Sequence, residues 1–267
     1  MPISPGMMAD FIIGIILFLL GISVGSFLNV VADRVPAGKS IVHPPSHCFN
    51  CGHSLEPRDL FPIVSYLLLR GKCRYCGKSF TARSMLVELA TGLLFALAYV
   101  ACGQTWQLPA ALIYCSLFVV LFITSLEQGI LPHVIVYPGI ALALIIALLS
   151  PLTGTLPGII SSLEGLCLSF GFFFLLQGVP RIFKQSIPGF GDVGMAGLIG
   201  ASVGFPLVLV ALCMAVPAGG LTAALLIVFK ARKLNQPLQF GPFLTCAGLI
   251  TLFYGNDIFD ACSQLFW

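Results

Sequence analysis

Phe11-Ile-Ile-Gly-Ile-Ile-Leu-Phe-Leu-Leu-Gly-Ile-Ser-Val-Gly-Ser-Phe-Leu-Asn-Val-Val-Ala32 runs for 22 residues without a charge. About 20 apolar residues cross a bilayer as a helix, so the stretch reads as a membrane span. No Lys or Arg precedes it and no clean small-x-small cleavage site is present. We therefore read it as a retained span and not as a signal peptide. Apolar runs recur at roughly 85–102, 108–126, 134–150, 158–180, 192–204, 206–229 and 243–259. The 267-residue chain is 58% hydrophobic and only 9% charged, whereas a soluble domain carries about 25% charged residues. The expectation is an all-α polytopic membrane protein with about eight transmembrane helices.

The basic residues set the topology. Eight of the thirteen lie between Arg34 and Arg83, two are Arg181 and Lys184, and three are Lys230, Arg232 and Lys233. Such clusters mark cytoplasmic loops. Threading the spans on this rule puts both termini outside. It also puts the connection from Glu127 to His133 inside, although that connection has no Lys or Arg. The net charge of +3 is thus a topology signal, and no basic stripe suggests a nucleic-acid partner. The implied partner is membrane lipid. The chain divides into a first span (1–32), a cytoplasmic loop domain (33–84) and a multi-helix membrane domain (85–267).

The loop domain holds Cys48-Phe-Asn-Cys51 and Cys73-Arg-Tyr-Cys76, with 21 residues between them. Two CxxC knuckles at this separation supply four thiolates to one tetrahedral zinc ion. A reducing cytoplasm favours metal over disulfides. With four ligands the site is closed, so the metal would be structural. His43, His47 and His53 then read as surface residues. Between the knuckles, 60–70 is apolar but too short to span. It is either an interfacial segment facing the membrane or the small domain's own core. The six remaining cysteines lie in or beside apolar runs and read as small core residues.

Ile187-Pro-Gly-Phe-Gly-Asp-Val-Gly194 places Asp192 among glycines at the mouth of the sixth span. An ionisable residue at such a position marks a functional site, although Asp is also a good helix N-cap. Small residues further along the span (Gly194, Gly197, Gly200, Ala201, Gly204) would permit close packing. Glu88 begins the second span, where it would cap or pair with a basic residue, and Glu164 reads as solvated.

Five ordered blocks carry a resemblance. They are Gly25-Ser-Phe-Leu-Asn-Val-Val31 with Arg34-Val-Pro36, the paired CxxC with Arg70-Gly-Lys-Cys73, Leu86-Val-Glu-Leu89 with Thr91-Gly92, Gly189-Phe-Gly-Asp-Val193, and Phe240-Gly-Pro-Phe243. Together the chain resembles the bacterial type IV prepilin peptidases, intramembrane aspartyl proteases of the GxGD kind. The resemblance implies an inner-membrane enzyme that removes the basic leader of type IV prepilins and type II secretion pseudopilins. It also implies methylation of the new N-terminus with S-adenosylmethionine.

Aspartyl proteolysis needs two carboxylates sharing a proton. The resemblance assigns one to Asp192. For the other, the family pattern has an aspartate, six residues, then Pro-Asp. This chain has Ser125 at the first position, Pro132 and then His133, while Gly194 stands where the family usually has lysine. Serine cannot act as the base. Glu127, two residues on, lies about 200° around a helix and would reach the same place only if the helix had ended by Ser125. Three readings follow: an active enzyme with an unusual pair, a paralogue that binds prepilins without cutting them, or an active-site variant. A reading of another class is a small transporter or a zinc-stapled membrane scaffold, since glycine-interrupted spans occur in transporters. Against it, the chain shows no internal repeat and few acids within spans.

Overall fold

The computed structural model describes residues 5–48, 50–59, 61–129, 131–154, 157–182, 190–229 and 239–266. Gly189 and the basic residues Lys184, Lys230, Arg232 and Lys233 lie outside the described residues. Among the described residues ten α-helices follow one another: α1 Pro5–Arg34, α2 Val64–Leu68, α3 Arg83–Cys102, α4 Gln107–Gln128, α5 His133–Leu148, α6 Ser150–Thr153, α7 Ile159–Ile182, α8 Phe190–Val203, α9 Leu207–Val228 and α10 Gly241–Phe266. The eight long ones occupy the eight apolar runs. Among the described residues five are long and apolar enough to cross a membrane, α1, α3, α4, α7 and α9, while α5 and α8 are shorter apolar helices. The fold is nearly all-helical; two isolated β-bridges are its only extended pairings among the described residues.

Large side chains face outward along the helices. Phe11, Ile16 and Leu19 on α1, and Ile160 and Leu175 on α7, are all exposed. In water such a surface would be a liability, but lipid tails solvate it as well as a core does. The cysteines follow the same logic. Cys115 is buried, whereas Cys167, Cys213, Cys246 and Cys262 are exposed. Our expectation of core cysteines holds for the first and fails for these four, because an apolar residue need not be buried in a membrane protein.

The chain forms two compact units, residues 1–104 and 105–267. In the first, α1 and α3 pack antiparallel at short range. A Cβ at Gly21 would come within 2.8 Å of Gly92 Cα, and one at Gly25 within 2.8 Å of Glu88 Cα. Small residues allow this approach, and dispersion between backbones replaces the missing hydrophobic drive. Polar clasps hold the register. Tyr99 donates its hydroxyl to Asp10 at 2.8 Å, Arg83 pairs with Asp33 at 2.7 Å, and the Asn29 amide donates to the carbonyls of Gly25 and Ser84 at 3.2 Å. Glu88 is buried and accepts the Ile63 amide at 2.7 Å. Its partner is thus a backbone N–H of the loop domain and not the basic residue we expected.

In the second unit α8 is the hub, packed on α5, α7 and α10. Its glycines are pressed against neighbours: a Cβ on Gly200 would collide with the Gly165 carbonyl and the Ser169 hydroxyl, and one on Gly194 would lie 3.0 Å from Val136. Helix α10 runs to Phe266, beyond its apolar run, because Asp257, Asp260 and Ser263 leave the hydropathy pattern without breaking the helix.

Replacing Gly25 by Leu should lower the thermal midpoint of the purified protein, an overpacking cost of about 1–3 kcal/mol. Gly14→Leu should be tolerated, since nothing lies within 4 Å of its Cβ position. Differential scanning fluorimetry in detergent compares the two.

Candidate functional site

The two CxxC segments fold into matching knuckles. Gly52 N–H donates to the Cys48 carbonyl at 2.8 Å, and Gly77 N–H to the Cys73 carbonyl at 2.9 Å. Cys48 N–H reaches back to His53, and Cys73 N–H to Lys78. Gly52 and Gly77 have φ of +70° and +69°, conformations that favour glycine. The turns aim four sulfurs inward, all within 4.8 Å of one another. Tetrahedral zinc with Zn–S bonds of about 2.3 Å sets its sulfurs about 3.8 Å apart; Cys48 and Cys76 stand at 3.9 Å. The donor set fits a closed zinc site.

Electrostatics agrees. The amides of Cys51 and Asn50 pull the Cys48 thiol down to about 6, and the Lys78 amide lowers that of Cys76. The His53 amide favours the Cys51 thiolate, yet burial and the sulfurs of Cys48 and Cys76 outweigh it and push this thiol up to about 11. Four thiolates repel one another, and a divalent cation among them removes that repulsion. Beside the cluster, Asp59 accepts from Arg74 at 2.7 Å and from the Tyr75 hydroxyl at 3.1 Å. Burial would raise this carboxyl, but the two donors outweigh burial and hold it below its usual range. A lowered carboxyl contributes stability at neutral pH and loses it only as pH falls below about 4. Tyr75 also packs against His53, ring centroids 3.7 Å apart and tilted by 39°, so that histidine has a packing role.

The acidic site lies in the second unit, where several helix ends converge. Asp192 is in the first turn of α8 and is 6% exposed. Ser125 is in the last turn of α4 and is 2% exposed. Helix α4 ends on Gly129 in the left-handed conformation, whose amide donates to the Ser125 carbonyl at 3.1 Å.

Three contacts fix the levels. A Cβ on Gly191 would come within 2.8 Å of Leu131. One on Gly241, at the start of α10, would collide with the Ser125 hydroxyl and lie 3.4 Å from Leu131. Further along, a Cβ on Gly248 would lie 3.1 Å from Ile199 of α8, and since the starts of both helices meet Leu131, α10 and α8 run parallel, with Gly248 seven residues beyond Gly241 and Ile199 seven beyond Asp192. Extending that register sets Gly241 level with Asp192. Ser125 thus lies beside the start of α10, at about the level of Asp192, with Leu131 between the starts of α8 and α10. The N-termini of α8 and α10 meet there, so their dipoles favour negative charge.

Glu127 is exposed, and α4 continues past it to Gln128. The condition under which it could replace Ser125 is therefore not met. His133 is exposed at the start of α5 and stacks on Tyr137 at 5.4 Å. Leu131 carries no signal of its own in the sequence, and Gly241 enters there only as part of a motif. The signal was there: a glycine opening a helix beside Phe240, which itself meets Phe173 edge-on at 6.1 Å.

Residues 19–102 match the model of the bacterial peptidase A24 N-terminal domain, and residues 112–228 that of the type IV leader peptidase family. The prepilin leader peptidase/N-methyltransferase of Pseudomonas aeruginosa is 31% identical over 90% of this chain and 90% of its own length. That of Bacillus subtilis is 29% identical over 91% of the chain and 95% of its own length. The Myxococcus xanthus protein of the same name is 37% identical over 82% of the chain but only 64% of its own length. No solved structure gives a significant match.

Protein purified without chelator should carry about one zinc per chain. Cys51→Ser or Cys76→Ser should lose it, and Asp59→Asn should release it faster to a chelator. Metal analysis and a colorimetric release assay read these outcomes.

Proposed function

The chain belongs to the type IV leader peptidase family, and we propose that it handles the N-terminal segment of a prepilin or pseudopilin at the level of Ser125 and Asp192. Its relatives bear the name prepilin leader peptidase/N-methyltransferase. The observation that carries the reading is the shared level of these two residues at a buried, multi-helix end. Chain order supports a cytoplasmic position. The connections bearing Lys184, and Lys230, Arg232 and Lys233, join helices at this same end. The setting is the bacterial inner membrane, with the zinc domain inside.

The chemistry follows from what each side chain can do. A water between the two positions must lose a proton as it attacks the scissile carbonyl. Asp192 can hydrogen-bond to the carbonyl or take the proton, but it cannot do both at once. Ser125 can hold the water and cannot accept its proton near neutral pH. Loss of a general base lowers rates by on the order of 10²–10⁴, or about 3–5 kcal/mol of barrier. As it stands, the sequence binds prepilins and cuts them slowly or not at all.

Zinc at Cys48, Cys51, Cys73 and Cys76 staples the loop domain and takes no part in cleavage. S-adenosylmethionine is the methyl donor that the resemblance implies.

Ser125→Asp should raise leader cleavage by on the order of 10²–10⁴ in membranes co-expressing a cognate prepilin, and adding Asp192→Asn should abolish the gain. Gel-shift of the prepilin reads both. Full cleavage by the unaltered sequence, lost in Glu127→Gln, would contradict the assignment.

A further inference from the structure

The segment between the two knuckles carries an exposed apolar face that the small domain does not use. Phe61, Val64, Leu67 and Leu68 are 64%, 52%, 62% and 77% exposed. Only Ser65, whose hydroxyl donates to the Arg58 carbonyl at 2.9 Å, is buried within α2. These four side chains are therefore not the domain's core.

Its position is fixed by one hydrogen bond. The Ile63 amide donates to the Glu88 carboxylate at 2.7 Å. Glu88 lies five residues into α3, about 7.5 Å along the axis from Arg83 at 1.5 Å per residue. Arg83 pairs with Asp33 next to the end of α1, so this ion pair marks where both helices leave the apolar layer. The start of α2 is thus held below that level. Interfacial helices lie about 5–10 Å into the headgroup and acyl boundary, the same depth. Charge completes the match. Arg70 and Lys72 directly follow the apolar face and are exposed. The nearby acids are already paired, Glu56 with Arg58 and Asp59 with Arg74.

We propose that Phe61, Val64, Leu67 and Leu68 insert into the membrane surface beside α3, with Arg70 and Lys72 on anionic headgroups. The zinc domain is thereby laid against the bilayer and does not stand off into solution. The inference depends only on α1 and α3 being membrane helices, and it holds or fails independently of the peptidase reading.

The test uses full-length protein in phosphatidylglycerol/phosphatidylcholine vesicles, with Trp106→Phe and Trp267→Phe removing native emission. Leu68→Trp should lose emission strongly when the acyl chains are brominated near the headgroup, and less when they are brominated near the chain ends. Val64→Trp, one turn earlier on the same face, should behave alike and guards against a local fault at 68. Adding Arg70→Glu and Lys72→Glu should weaken the quenching. Emission indifferent to every brominated lipid would overturn the proposal. So would emission that shifts only when a prepilin N-terminal peptide is added, which would make the face a substrate surface. Quenching unchanged by the charge reversals would overturn the role given to anionic lipid.

Discussion

Close packing at glycine is the constraint on which the rest of the molecule depends. A water-soluble bundle can gather its helices by burying apolar surface, but in lipid that drive is absent. Here contact comes from backbones brought within van der Waals range. Gly21 and Gly25 set α1 on α3, Gly200 sets α8 on α7, and Gly191 and Gly241 close the acidic end around Leu131 and Ser125. Each contact leaves no room for a Cβ, so each also fixes a register. The level of Asp192 relative to Ser125 is a consequence of these registers.

That level matters because a buried carboxylate at the mouth of a membrane helix is expensive unless its surroundings accept charge. The start of α10 on one side and the start of α8 on the other supply positive ends of helix dipoles. The same end is therefore prepared for negative charge at two positions, yet this chain has a carboxylate at only one. On the proposed reading, the peptidase site of this chain has one acidic side chain where the chemistry asks for two. The two metal knuckles are a separate device. A zinc ion held by their four cysteines would brace a domain too small to stabilise itself, and the proposed cleavage chemistry lies with the membrane helices.

Much of this was legible in the residues. Apolar runs located the eight long helices because bilayer thickness fixes their length, and the CxxC spacing located the metal cluster because four sulfurs around one ion admit few geometries. The end of α10 was not legible, since the apolar run ended before the helix did. The outward cysteines were missed because burial and apolarity separate in lipid. The orientation of Phe61 to Leu68 could not be read from composition, as an interfacial face and a small core look alike in sequence. Nor could Leu131 be singled out: nothing in a lone leucine of a loop announces that two helix ends rest on it.

The most direct measurement of the central claim is proximity. In a background with the six cysteines outside the zinc cluster replaced by alanine, Ser125→Cys and Asp192→Cys together should be bridged by a short bifunctional thiol reagent in native membranes. Glu127→Cys with Asp192→Cys should not be. Bridging of the 127–192 pair without the 125–192 pair would contradict the account.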